Sequence, residues 1–115
     1  MSRVDPERAI PIASADELDR WLAESGATAP EVIVAIFKRR SGRQTAGLVD
    51  LQEVALCHGW VDTQTRRIDD QRYAIRFVPR RPRSNWSPKN RAMATRLLAA
   101  GRIRPAGLAA LPDDL

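Results

Sequence analysis

Cysteine and histidine each occur once, as the adjacent pair Cys57-His58. A single cysteine excludes an internal disulfide and points to a reducing compartment. One cysteine and one histidine also exclude the common Cys/His zinc sites within one chain, so neither a metal nor another cofactor is expected. The pair does not make a nucleophile and its base, because adjacent helical residues point about 100° apart. Cys57 therefore reads as a small buried hydrophobe. Long apolar runs are missing too: none approaches the roughly 18 residues of a membrane-spanning helix. The N-terminus, MSRVDPERAIPIASADELD, carries acids where a signal peptide needs an apolar core, so the expected location is cytoplasmic. There is no Gly-rich loop of the P-loop or dinucleotide type. No internal repeat, linker or low-complexity segment interrupts the chain. With no nucleophile–base pair and no metal set, no catalytic residue is assigned.

What the chain does have is arginine, and it is unevenly placed. Its 115 residues carry a net charge of +5, and a chain of this length buries roughly two-thirds of its unfolded surface as one domain. Residues 66–104 hold twelve Lys or Arg against Asp69 and Asp70, a local charge of +10. Residues 1–65 hold seven bases and ten acids. Charge polarised in this way suits an anionic partner better than it suits mere solubility.

Residues 1–13 read as an N-terminal arm, broken by Pro6 and Pro11, with Ile10 and Ile12 placed to pack on a single domain spanning 14–115. Ser14 and Glu17 form a capping box that opens a helix bearing Leu18, Trp21 and Leu22 and stopping near Gly26. The β-branched run VIVAIF, 32–37, predicts a central strand buried on both faces, followed by a basic turn at 38–43. Asp50 with Glu53 predicts a second capping box and a helix stopped by Gly59. A hairpin over 60–68 and 72–79 is expected next, turning at Asp69-Asp70-Gln71. Centred on Asp70, it sets Thr63, Thr65 and Arg67 against Phe77, Ile75 and Tyr73, and gathers Gln64, Arg66, Arg72 and Arg76 on the opposite, solvated face. Ser87-Pro88 begins a helix with Met93, Leu97 and Leu98 that closes near Gly101, and a short turn or helix follows Arg104-Pro105. The fold class is α+β: a small, mainly antiparallel sheet of three or more strands with three to four helices.

The candidate site follows from the charge. Arg66, Arg72 and Arg76 on the hairpin, with Arg80, Arg81, Arg83 and Lys89 beyond it, form a track suited to phosphates. Trp86, between Ser84-Asn85 and Ser87-Pro88, is placed to staple the helix start or to stack on a base or a guanidinium. The helix start at Ser87-Pro88 adds backbone N–H groups and a positive dipole end. The expected function is a non-enzymatic module for an anionic macromolecule, nucleic acid or an acidic protein. Two alternatives stand beside it: a protection protein acting through a protein partner, with an apolar patch along Leu108–Leu111 as its cue, and a small-molecule binder or enzyme using Asp62 and Trp60. Asp62 has a structural reading as well, as the ion-pair partner of Arg80 or Arg81. Asp69 and Asp70 read as turn residues.

The runs ALCHGWVD at 55–62, RRIDDQRY at 66–73, RFVPRRPRSNWSPKN at 76–90 and LLAAGRIRPAGL at 97–108 resemble the YdeI/OmpD-associated, or bacteriocin-protection (OmdA-like), family. The resemblance covers about residues 12–110, and the PRRPRSNWS block is its most specific part. His58 stands where that family usually has an aromatic, Thr63 where it has glycine, and Ile103 where it has methionine. Many of those proteins continue into a further basic helical tail. The resemblance implies protection against antimicrobial peptides and, by the family name alone, association with a porin. It carries over no catalytic residue.

Overall fold

The VIVAIF run becomes a strand in the interior of the sheet, and the rest of the molecule is arranged around its two faces. The computed structural model of the chain describes residues 4–38, 42 and 47–115; most of the basic turn expected at 38–43 lies outside them. The strands are β1 (Ile10–Pro11), β2 (Val32–Phe37), β3 (Trp60–Arg67) and β4 (Arg72–Pro79). The helices are α1 (Ala15–Ser25), α2 (Leu48–Cys57), α3 (Pro88–Ala99) and α4 (Pro105–Ala110). The sheet order is β1-β2-β4-β3. β1 runs parallel to β2 while β2–β4 and β3–β4 are antiparallel, giving a mixed α+β fold.

One sheet face carries Val32, Val34 and Ile36 beside Phe77, Ile75 and Tyr73, as the period of two requires. Leu18 and Leu22 of α1 and Leu51, Val54 and Ala55 of α2 cover that face, with Ile12 from the arm. Trp60 is buried at the end of this core and meets Trp21, which is half-buried, edge to face at 6.0 Å. Behind α2 a second apolar cluster joins Leu56 and Cys57 to Met93, Ala94 and Leu97 of α3. α2 is thus sandwiched, which explains why its apolar residues run nearly all round it.

The helix signals act largely as read. Ser14 Oγ accepts from the Glu17 amide at 3.2 Å, and the Glu17 carboxylate accepts from the Ala13 amide at 2.9 Å. Ser87 Oγ accepts from the Asn90 amide at 3.1 Å, with Pro88 in the first helical turn. The box expected at Asp50–Glu53 does not form. α2 already begins at Leu48, after Gly47, because Leu48 packs on the main core. Glu53 is buried instead and takes Arg96 at 2.6 Å and Arg102 at 3.8 Å.

The hairpin register holds near the turn, where Arg67 pairs with Tyr73 and Thr65 with Ile75. A bulge between Asp62 and Gln64 then sets Asp62, not Thr63, against Phe77. The face expected to be solvated is partly covered. Val4 packs there on Ile33 and Ala74, so the N-terminal segment lies across the arginine side of the sheet.

Candidate anion-binding loop and its flanking clefts

Asp69 and Asp70 do turn chemistry. The Asp69 carboxylate accepts from the Gln71 and Arg72 amides, both at 2.8 Å, and from Arg72 Nε at 3.0 Å. The Gln71 amide bond, then the Arg72 side chain, holds its pKa below the usual carboxylate value. Asp70 pairs with Arg67. Arg72 is therefore occupied, and its guanidinium also lies over the Phe37 ring, 5.9 Å from its centroid. Arg76, expected to be solvated, is only 18% exposed and donates through Nε to Glu31 at 2.8 Å. Arg8 reaches the other Glu31 oxygen at 3.2 Å. Arg66 is exposed and donates to the Val4 carbonyl at 3.5 Å.

The loop after β4 is different. The Ser84 amide donates to the Arg81 carbonyl at 3.1 Å, closing a four-residue turn with Pro82 second and Arg83 third. Arg83 has φ 58°, so this is a type II turn with arginine where glycine or asparagine is favoured. The turn pushes Arg81 and Arg83 outward, and Lys89 lies exposed in the first turn of α3. Among the described residues, no carboxylate lies within ion-pair distance of Arg80, Arg81, Arg83 or Lys89.

At the base of the loop, Arg80 stacks on Trp86, its guanidinium carbon 3.7 Å from the ring centroid. Of the two roles open to Trp86, it takes the guanidinium stack, while also packing against the α2–α3 cluster. Arg80 Nη1 donates to Ser84 Oγ at 3.3 Å and to the Asn85 carbonyl at 3.4 Å, while its buried Nε meets no acceptor. Burial pulls the guanidinium pKa down, opposed by the charge of Asp62. Asp62 itself accepts from Gln52 Nε2 at 3.2 Å and forms no ion pair with Arg80 or Arg81.

The loop is a ridge between two concavities. One, of about 640 Å³, lies toward α4 and is floored by His58, Gly59 and Trp60. The other, of about 760 Å³, lies on the arm-bearing sheet face, over Val61, Thr63 and Val78. Arg80, Arg81 and Arg83 line both. Trp60 reaches the first cleft but Asp62 does not line it, so that candidate pair is not brought together.

One polar cluster was not foreseen as such. His58 is buried, and its Nε2 lies 2.7 Å from Asp19 Oδ1, whose other oxygen accepts from Arg104 at 2.7 Å. The His58 hydrogen bond, with Arg104 assisting against burial, lowers the Asp19 pKa. These residues lie 39 and 85 positions apart, beyond what local pattern reveals. Cys57 is buried and burial pushes its thiol pKa up. Among the described residues, no group of three or more Cys, His, Asp or Glu could hold a metal ion, and no helix is long and apolar enough to cross a membrane.

A ridge of unpaired arginines on an α+β scaffold defines the domain by its fold and charge. The chain belongs to the family described as Domain of unknown function (DUF8412), whose match spans residues 10–110. No curated protein and no solved structure matches it.

Proposed function

We propose that the chain is a non-enzymatic binding module for an anionic macromolecule, nucleic acid first, engaged by the Pro79–Asn85 loop and Lys89. The observation that carries this reading is the contrast in charge pairing. Arg67, Arg72 and Arg76 each hold a carboxylate, whereas Arg80, Arg81, Arg83 and Lys89 hold none among the described residues. Unpaired, outward-facing guanidinium groups are suited to phosphate oxygens. The partner surface is thus narrower than the whole basic segment: Arg67, Arg72 and Arg76 serve mainly to fix the fold, and Arg66 donates to the Val4 carbonyl. A ridge flanked by concavities favours a single strand, whose bases can splay to either side.

Titration of labelled single-stranded and duplex oligonucleotides across a salt series tests this. Three to four engaged phosphates give a log–log slope of about −2 to −3 on single strands and about −2.5 to −3.5 on duplex. Absence of binding at low salt would overturn the reading. One ring face of Trp86 is already covered by Arg80, so Trp86→Ala should weaken single strands and duplex alike, through loss of Arg80's support.

An apolar docking face has less to stand on. The exposed large apolar side chains Val49, Leu98 and Leu108 belong to three different helices. Kinship with the bacteriocin-protection proteins stays a proposal resting on the PRRPRSNWS block, and so does a cytoplasmic location.

A further inference from the structure

The cleft beside α4 has a feature the exposed ridge does not need: a half-buried guanidinium held rigidly and left without an ion-pair partner among the described residues. We propose that this cleft binds a small organic anion, its carboxylate or phosphate group at Arg80 and a compact apolar body against the α4 wall. Four observations support the site. Arg80 is fixed by the Trp86 ring at 3.7 Å and by Ser84 and Asn85, so little side-chain freedom remains to be lost on binding. Its Nε is sealed away without an acceptor and no carboxylate lies within ion-pair distance among the described residues, so an anion in the cleft would compensate a half-buried charge that only the more distant Asp62 offsets. The α4 side is apolar, built from Ala109, Leu111 and Pro112. Arg81 and Arg83 at the rim outweigh the one lining carboxylate, Asp113, so the cleft is cationic overall. The volume of about 640 Å³ falls within the range of small-molecule sites.

This inference goes beyond the proposed nucleic-acid surface, to which Arg80 also belongs but whose outward charges are Arg81, Arg83 and Lys89. The test is calorimetric titration of the full chain with phenylacetate, phenyl phosphate, inorganic phosphate and neutral phenylacetamide. Tryptophan fluorescence gives a second readout, since Trp60 and Trp86 both line the cleft. At least one aromatic anion should bind about tenfold or more tighter than phenylacetamide, as a charge-assisted hydrogen bond allows. It should also bind more tightly than inorganic phosphate, and which aromatic anion binds separates the carboxylate source from the phosphate source. Arg80→Gln should abolish this preference. Ala109→Trp, at an exposed α4 position, should fill the cleft and block the anion while leaving duplex oligonucleotide binding intact. The proposal is overturned if neither aromatic anion binds at millimolar concentration, if amide and acid bind equally, if inorganic phosphate binds as well as phenyl phosphate, or if Ala109→Trp binds like the parent. Loss of oligonucleotide binding with phenylacetate or phenyl phosphate binding retained would sink the surface reading alone.

Discussion

Arg83 concentrates the backbone strain of the loop. A left-handed conformation costs an L-residue roughly 1–2 kcal/mol, and glycine at the third position of a type II turn avoids it. Arg83→Gly should therefore raise stability by about 0.5–1 kcal/mol, after glycine's own entropy cost, while weakening anion binding. Paired melting and binding curves check both halves; a variant both less stable and equally able to bind would show that the turn is not strained. Asp19 gives a pH prediction. Its folded pKa lies below the ordinary carboxylate value of about 3.9. Its contribution is accordingly present above about pH 4 and lost as pH falls through the folded value. Asp19→Asn should destabilise the protein at pH 7, and the gap to the parent should narrow below pH 4 in denaturant melts. Cys57, buried and with a raised thiol pKa, should label slowly in the folded protein at neutral pH and rapidly once unfolded.

Among the elements, α4 depends most on missing side chains. A Cβ on Gly107 would run into the Cys57 carbonyl, and one on Gly59, at φ 80°, would lie 2.8 Å from the Ala106 carbonyl. The Arg104 amide completes the joint by donating to Cys57 O at 2.9 Å. Gly107→Ala should cost about 1–3 kcal/mol by overpacking, read as a lower denaturant midpoint at unchanged slope. Elements marked by local chemistry were legible in the sequence: both serine caps, the VIVAIF strand, the turn at Asp69 and the pairing of Thr65 with Ile75. The start of α2 and the bulge after Asp62 were not, because Leu48 and Asp62 answer to tertiary partners, the main core and Gln52. Arg76 shows the same limit. Alternation placed it correctly opposite Phe77's face, but nothing local shows that Glu31, 45 residues away, would neutralise it. Arg76→Gln should consequently cost about 1–3 kcal/mol of stability, the price of stranding a mostly buried hydrogen-bonded partner, and should leave oligonucleotide affinity nearly unchanged.

At the scale of the whole molecule, charge was readable from sequence but its availability was not. A count gives +10 over residues 66–104, yet the fold engages much of that charge in ion pairs with Asp69, Asp70, Glu31, Glu53, Asp19 and Asp114. Apart from Arg66, which donates to the Val4 carbonyl, what stays without a carboxylate partner among the described residues gathers on one loop and the helix start beside it. The N-terminal segment, through Val4, covers part of the hairpin's arginine face, which leaves the ridge the more open of the two basic surfaces. Mapping amide and arginine Nε–H chemical shifts during titration with a single-stranded oligonucleotide tests this most directly. The account predicts shifts at Arg80, Arg81, Arg83 and the start of α3, with Arg72 and Arg76 little moved. Shifts centred on Arg66, Arg72 and Arg76, or none at low salt, would contradict it.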